Sequence, residues 1–407
     1  MIPPTEAMKI LLRFLTLLAA LTFTATTTAR AAVPVVSNLT AAQRFGTKLV
    51  DITYDVTADT PTVTITVAIS SDGGTTWSVP ATTVTGAVGA NVPTGMGKTV
   101  IWGAGADWNE KATSQMQFRV TADDLQGPPI PEGFALIPAG NFQMGDQSNP
   151  SVGGGPGNEW PAHSVFVSAF YMAKYEVTTE LWIAVRAWGL THGYTDLRYS
   201  GGGLPTQPVR SLTWYDMVKW CNARSEQEGL TPCYYTDAAQ TAIFKTGTNN
   251  FDNTMVTWTA NGYRLPTEAE WEKAARGGLV GKNFPWGDTI THSQANYLST
   301  ASYAYDVSPT RGYHPASGPA PSPVGSFAAN GYGLYDMAGN VWEWCWDWYG
   351  TYTADFQTDP QGATTGSSRV LRGGNWYDVA NNCRTACRYP FGPSNVNNNI
   401  GLRIVRR

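Results

Sequence analysis

Charge is scarce in this 407-residue chain. Asp, Glu, Lys and Arg make up 14% of it, against roughly a quarter in an ordinary globular protein. The 27 basic and 31 acidic residues give a formal net charge of −4, and no basic stripe gathers among them. Nucleic-acid binding needs clustered Lys and Arg to neutralise phosphates, so that class of partner is excluded. Cysteine is scarce too. Five residues, Cys221, Cys233, Cys345, Cys383 and Cys387, are too few for a disulfide framework to replace a hydrophobic core. The four histidines, His163, His192, His292 and His314, show no ligand spacing, and no Gly-x-Ser-x-Gly element announces a serine hydrolase. Beyond the first residues, no apolar run approaches the ~20 residues of a membrane span.

What the chain has instead is 42 Gly, 26 Pro, 16 Trp and 19 Tyr. Few charges with many glycines and aromatics imply long ordered loops packed on aromatic clusters; a disordered chain would be aromatic-poor. Residues 1–31 read as a signal peptide. Lys9 and Arg13 flank or interrupt a short apolar run ending near Leu21, and Ala29-Arg30-Ala31 fits the small-x-small cleavage rule. The mature protein is expected to start near Ala32 and to be exported, whether periplasmic, secreted or at the cell surface, with no membrane span. Export permits disulfides. Cys221–Cys233, around the Gly229-Leu230-Thr231-Pro232 turn, and Cys345–Cys383 are the expected pairs, with Cys387 left over.

Residues 33–123 read as a small β-sandwich of immunoglobulin or fibronectin type. Val50–Val56 and Val63–Ile69 alternate apolar and polar residues, the period of half-buried strands, and further strands are expected near Thr99–Trp102 and Met116–Val120. Proline-rich residues 124–133 read as a linker. Residues 134–407 read as one long, loop-rich α+β domain with three helices. The clearest opens at Thr267, with Glu270 three residues on and Gly277 after the last turn.

Seven ordered segments carry a resemblance. They include Phe134–Gly145, Tyr171–Thr178, Gly262–Glu272, Phe284–Gly287, Gly331–Trp344, Arg369–Trp376 and Gly401–Arg403. Together they resemble the formylglycine-generating (sulfatase-modifying) enzyme family. That resemblance implies an irregular C-type-lectin-like fold. It also implies two cysteines in a Cys-x4-Cys arrangement after Arg-Gly-Gly, holding copper(I), for which soft thiolates are suited. Here the candidate catalytic residues Cys383 and Cys387 stand as Cys-x3-Cys. Counting forward from Arg372-Gly373-Gly374 places the family cysteines on Asp378 and Cys383; counting back from Gly401-Leu402-Arg403 places them on Asn375 and Ala380. Neither count recovers both, so copper is not expected.

The resemblance further implies calcium at Asp336, Gly339, Val341 and Glu343, two side-chain oxygens and two carbonyls on a tight loop. A second calcium would use Asn296 and Tyr297, although no acidic ligand aligns with them. Asn340, Trp342, Arg372 and Asn375 are candidates for a polar, aromatic cleft. The expected function is a peptide- or glycan-binding module, with an oxygen-dependent oxidoreductase acting on a protein cysteine or small thiol as the rival.

Overall fold

The structure is a computed structural model, and it describes residues 34–58, 60–109, 111, 113–123, 130–147, 157–199 and 203–407. The expected signal peptide and most of the expected linker lie outside the described residues. Contacts divide the chain into two compact units, one up to residue 129 and one over Ile130–Arg407.

The first unit is β-sandwich-like. Strands β1 (Val35–Gln43), β2 (Leu49–Thr57), β4 (Val84–Gly86) and β6 (Gly95–Gly103) form one antiparallel sheet in the order β1-β2-β6-β4. A second sheet has the order β5-β3-β7, from β3 (Thr62–Ser70), β5 (Gly89–Pro93) and β7 (Gln117–Asp123). The alternation read in the sequence is the reason the sheets share a core. Ile52, Tyr54 and Val56 of β2 point the same way, a consequence of the strand period of two. They meet Val63, Ile65 and Ile69 of β3 and Val100 and Trp102 of β6 in one cluster. A four-residue helix α1 (Ala104–Asp107) follows β6, and its Asp107 accepts a 2.9 Å hydrogen bond from the Trp102 indole.

The second unit holds three small sheets and three longer helices. β8 (Phe134–Ile137), β11 (Phe170–Ala173) and β17 (Val405–Arg406) form one sheet. β9 (Gly140–Met144), β10 (His163–Val167) and β13 (Gln357–Thr358) form another. The third contains β12 (Trp342–Trp348), β14 (Arg369–Arg372), β15 (Arg388–Phe391) and β16 (Ile400–Gly401), ordered β15-β14-β12-β16. The last strand, β17, and the first of this unit, β8, pair with β11 from its two sides, which ties the ends of the fold together. The helices are α2 (Thr179–Leu190), α3 (Trp214–Gln227) and α4 (Glu268–Arg276). Thr178, Thr213 and Thr267 cap them, α3 and α4 have full capping boxes, and Gly277 ends α4 in the left-handed conformation. Among the described residues no helix is long and apolar enough to cross a membrane.

α4 is where structure departs most from what its composition suggests. Glu-Ala-Glu-Trp-Glu-Lys-Ala-Ala-Arg has the makeup of a solvated helix, yet all nine of its residues are buried. Each glutamate meets an arginine. Glu270 takes both terminal nitrogens of Arg264 at 2.6 Å. Glu272 accepts from Arg276 and, through its other oxygen, from Arg372. Glu268 accepts from Nε and Nη2 of Arg388 at 2.7 and 2.5 Å. One apolar stripe, Ala269, Trp271, Ala274 and Ala275, completes the packing. Removing one partner of a buried, hydrogen-bonded pair leaves the other charge uncompensated, which costs about 3–5 kcal/mol. Glu272→Ala is therefore expected to lower unfolding free energy by about that amount, measured by urea titration. Lys282→Ala, which breaks the exposed Lys282–Asp288 pair, is expected to change it by less than about 1 kcal/mol.

Candidate functional site

The segment after β14 carries the two candidate catalytic cysteines. Cys383 ends a 3-10 turn, Ala380–Cys383, and Cys387 precedes β15. Both are buried, but in different apolar clusters: Cys383 with Phe284, Ala295, Tyr297 and Ala338, Cys387 with the tryptophans of β12. Gly374 lies directly over Cys383. It has φ +73°, and a Cβ there would stand 2.8 Å from the Cys383 sulfur, so the glycine of Arg-Gly-Gly is required by this contact. Burial pushes both thiols up, Cys383 further through Asp378 and Cys387, and Cys387 to about 12 with Glu159 adding to the effect. Thiolates that form this reluctantly are poor soft ligands, and the two sulfurs lie in separate clusters. These residues do not fit a copper(I) pair.

The expected disulfides are not present: all five cysteines are free thiols. Cys345 of β12 packs with Trp271 and Val370, in a different cluster from Cys383. Cys221 and Cys233 share a cluster, but the turn between them is tied by another device. The Asn222 carboxamide accepts from the backbone N–H groups of Cys233 and Tyr234 at 3.2 and 3.1 Å and donates to Tyr234 O at 2.8 Å. A side-chain amide thus does the fastening that spacing had assigned to sulfur.

Asp378 occupies the place that the forward count gives to the first family cysteine. It is half-buried. Asn382 donates to one carboxylate oxygen at 2.9 Å and Asn375 to the other. Burial raises its pKa, and the bonds from Asn382, Trp342 and Asn375 oppose the rise. Around it lie exposed rings. Tyr377 is 55% and Tyr389 51% exposed. Tyr389 lies 5.9 Å from the Trp342 ring, and Tyr313 lies 6.0 and 6.2 Å from Trp376 and Tyr377. The four residues expected to line a cleft do not face solvent. Asn340 donates to Glu176 and accepts from Ser322 N, Arg372 is fully buried on Glu272 and the carbonyls of Thr385 and Cys387, and Asn375 and Trp342 support Asp378. They position the surface; the tyrosines present it. No motif marks an exposed tyrosine, so these rings were not legible before the fold was known.

At the expected calcium loop, Asp336 has φ +59° and accepts from Gly325 N at 2.6 Å through one oxygen; its other oxygen is buried and has no partner. Glu343 is held by Arg403 at 2.7 Å and by the Trp271 indole at 2.6 Å. Glu176 completes a buried group of three carboxylates around one guanidinium. Burial, then Asp336 and Glu343, push Glu176 well above the usual carboxylate range, and burial lifts Asp336 to about 6. One oxygen of Asp336 is thus open, while Glu343 is committed to Arg403 and Trp271, and among the described residues no three His, Cys, Asp or Glu side chains converge as a metal set. Gly339, at φ +78°, lies so close to Asn296 O that a Cβ would stand 2.3 Å away. At the second expected site the Asn296 Oδ1 has no partner, but the Tyr297 carbonyl lies 3.1 Å from His292 Nε2. The acid beside this pair, Asp306, is engaged by the Tyr297 and Ser299 hydroxyls and by Thr300 N.

Fold and site together define a loop-rich α+β protein built like the sulfatase-modifying factors, behind a β-rich region. Residues 121–407 match the family model described as a sulfatase-modifying factor enzyme 1-like domain. The chain belongs to that family, and it lacks the Cys-x4-Cys pair. It is 34% identical over 260 residues to the chaperone protein LppX of Paenibacillus barcinonensis, covering 60% of this chain and 82% of that protein. It is 33% identical over 302 residues to the formylglycine-generating enzyme of Streptomyces coelicolor, covering 68% and 90%. Among solved structures, Treponema denticola variable protein 1 superposes with a TM-score of 0.52 at 30% identity, covering 67% of this chain and 94% of that one. Relatives named as a chaperone and as an enzyme stand equally near, so likeness alone does not choose an activity.

The state of the sulfurs is directly testable. Alkylation of the denatured protein without reductant is expected to add five labels by mass, and alkylation of the native protein near pH 8 almost none, because burial raises these thiols. Three or fewer labels in denaturant would restore a disulfide.

Proposed function

We propose that this protein is an exported, non-catalytic ligand-binding member of the sulfatase-modifying factor family, holding a peptide or glycan on the surface around Asp378. The observation that carries this reading is the half-buried carboxylate, fixed by Asn375 and Asn382, where the forward count calls for a thiol. Exposed aromatic rings beside fixed polar groups suit sugar or peptide recognition, because a ring face contributes contact area at low entropic cost. A C-type-lectin-like arrangement of residues 134–407, behind a sandwich spanning 33–123, belongs to the same reading, as does a mature N-terminus near Ala32.

A sulfatase-type Cys-x-Pro-x-Arg peptide is expected to remain unconverted by copper-supplemented protein under oxygen, as read by mass spectrometry. An aldehyde product lost in Cys383→Ser would overturn the binding reading. A tyrosine-to-alanine pair, Tyr377→Ala with Tyr389→Ala, is expected to abolish retention on peptide or glycan arrays that hold the wild type, with unchanged thermal midpoint.

Calcium belongs to the proposal as a structural ion. Asp336 and Glu343, with the carbonyls of Gly339 and Val341, would hold it, and its charge would offset the surplus acid around Arg403. A ligand that binds only the native state raises stability by mass action. Added calcium is therefore expected to raise the thermal midpoint of chelator-treated protein, and Asp336→Asn to remove that response. A wild-type midpoint indifferent to both chelator and calcium would exclude the ion.

A further inference from the structure

We propose that a cleft at the N-terminus of α4, away from the Asp378 surface, is a binding site for an alkylammonium or guanidinium group on an aliphatic stem, received by Asp347. The cleft encloses about 380 Å³ between the start of α4, the end of β12, His163 and the loop from Gln357 to Ala363. Its polar groups have been counted atom by atom. Glu268 is saturated: it accepts from Arg388 Nε and Nη2, from the Tyr352 hydroxyl at 3.0 Å, and lies 3.3 Å from Arg372 Nε. Arg388 is equally committed, its remaining nitrogen donating to Gly350 O at 2.6 Å and Asn158 O at 3.2 Å. Neither Glu268 nor Arg388 is left free to receive a ligand.

Asp347 and His163 keep acceptors open. Asp347 is 3% exposed. Its Oδ2 accepts from Glu268 N at 2.7 Å, at the first turn of α4, while among the described residues no donor engages Oδ1. His163 Nδ1 lies 3.1 Å from Pro161 O. That contact places the hydrogen on Nδ1 and leaves the Nε2 lone pair open. The loop is shaped for Asp347: Gly362 has φ +77°, and a Cβ there would stand 2.8 Å from Oδ1. The remaining walls, Met144, Trp348, Ala269 and Pro360, are apolar and suit methylenes, with an indole beside the cationic head. A metal ion is the poorer occupant, since no three His, Cys, Asp or Glu side chains converge here among the described residues.

Burial, then the charge of Glu268, push Asp347 up to about 8. Burial thus disfavours the bare carboxylate of the empty cleft, against the opposing pull of Glu268 N and Arg388. An arriving ammonium stabilises the carboxylate, and the carboxyl proton leaves to solvent, so charge balances as one cation enters and one proton departs.

The test is calorimetric titration of the full chain near neutral pH with Nα-acetyl-lysine methylamide, with n-butylammonium, and with the uncharged isostere Nα-acetyl-norleucine methylamide. At least one cation is expected to bind at least about tenfold more tightly than the isostere. Titration in buffers of different ionisation enthalpy should show proton release. Asp347→Asn should weaken the cation at least about tenfold. Binding of the lysine derivative alone marks a peptide side chain as the source of the group, and binding of butylammonium alone marks a free amine. The proposal is overturned if the isostere binds equally well, if no cation binds at about 10 mM, or if binding releases no proton. The last reading uses wild-type protein and stands even if Asp347→Asn does not fold.

Discussion

The ion pair between Glu272 and Arg372 has no access to solvent on either side, and most of the larger unit is arranged around it. Glu272 also binds Arg276 and the Gly145 backbone, which ties α4 to the end of β9. Arg372 reaches in the other direction, to the carbonyls of Thr385 and Cys387, and so fixes the cysteine-bearing segment. One turn earlier on the same helix, Glu268 performs the equivalent task for Arg388 and Tyr352, which shape the Asp347 cleft. Both functional regions therefore hang from one face of α4, because residues four apart stand one above the other on a helix. Desolvating so many charges is expensive, and apolar replacements of similar volume would often be as stable. What the lattice supplies is direction, since each guanidinium fork accepts its partner in one geometry.

Arg369 shows the same logic without an acid. Its guanidinium lies 3.5, 4.1 and 4.8 Å from the ring centroids of Trp348, Trp214 and Trp346, and it donates to Trp346 O and Phe251 O. Burial brings it down to about 9. Three indole faces and two carbonyls hold a cation that makes no ion pair among the described residues, which accounts for part of the chain's demand for tryptophan. Trp348 stands at once in this cage and in the wall of the cleft, so core and site share a residue.

The local devices were legible in the sequence. Alternation in Val50–Val56 and Val63–Ile69 became β2 and β3, and Thr267, Glu270 and Gly277 cap α4 as their spacing implies. These signals act within a few residues. The burial of α4 was not legible, because its partners Arg372 and Arg388 lie 100 and 120 residues away, and a glutamate paired at that distance looks like a solvated one. The cysteine pairing failed for a related reason. Export and spacing say where a bridge is permitted, not where backbone needs fastening, and at Cys221–Cys233 the neighbouring Asn222 had already satisfied it. The Asp347 cleft draws on six separate stretches of chain, and no single stretch carries its pattern.

Asp378 and Asp347 differ in how much of each carboxylate the fold has already used. Asp378 receives side-chain donors on both oxygens, so its charge is spent on holding the Asn375–Asn382 segment in shape. That segment is then independent of any metal: Cys383 serves beneath Gly374 as a small core residue, and the surface above is free to present Tyr377 and Tyr389. Asp347 receives one backbone N–H and keeps its second oxygen open under a glycine that leaves room for it. The first aspartate builds a surface and the second leaves a vacancy in the hydrogen bonding of an otherwise saturated network. Where most buried acids are paired, an acceptor left open at the edge of a cleft is a place where an added cation gains most, since it meets low dielectric and an oxygen that no described donor engages.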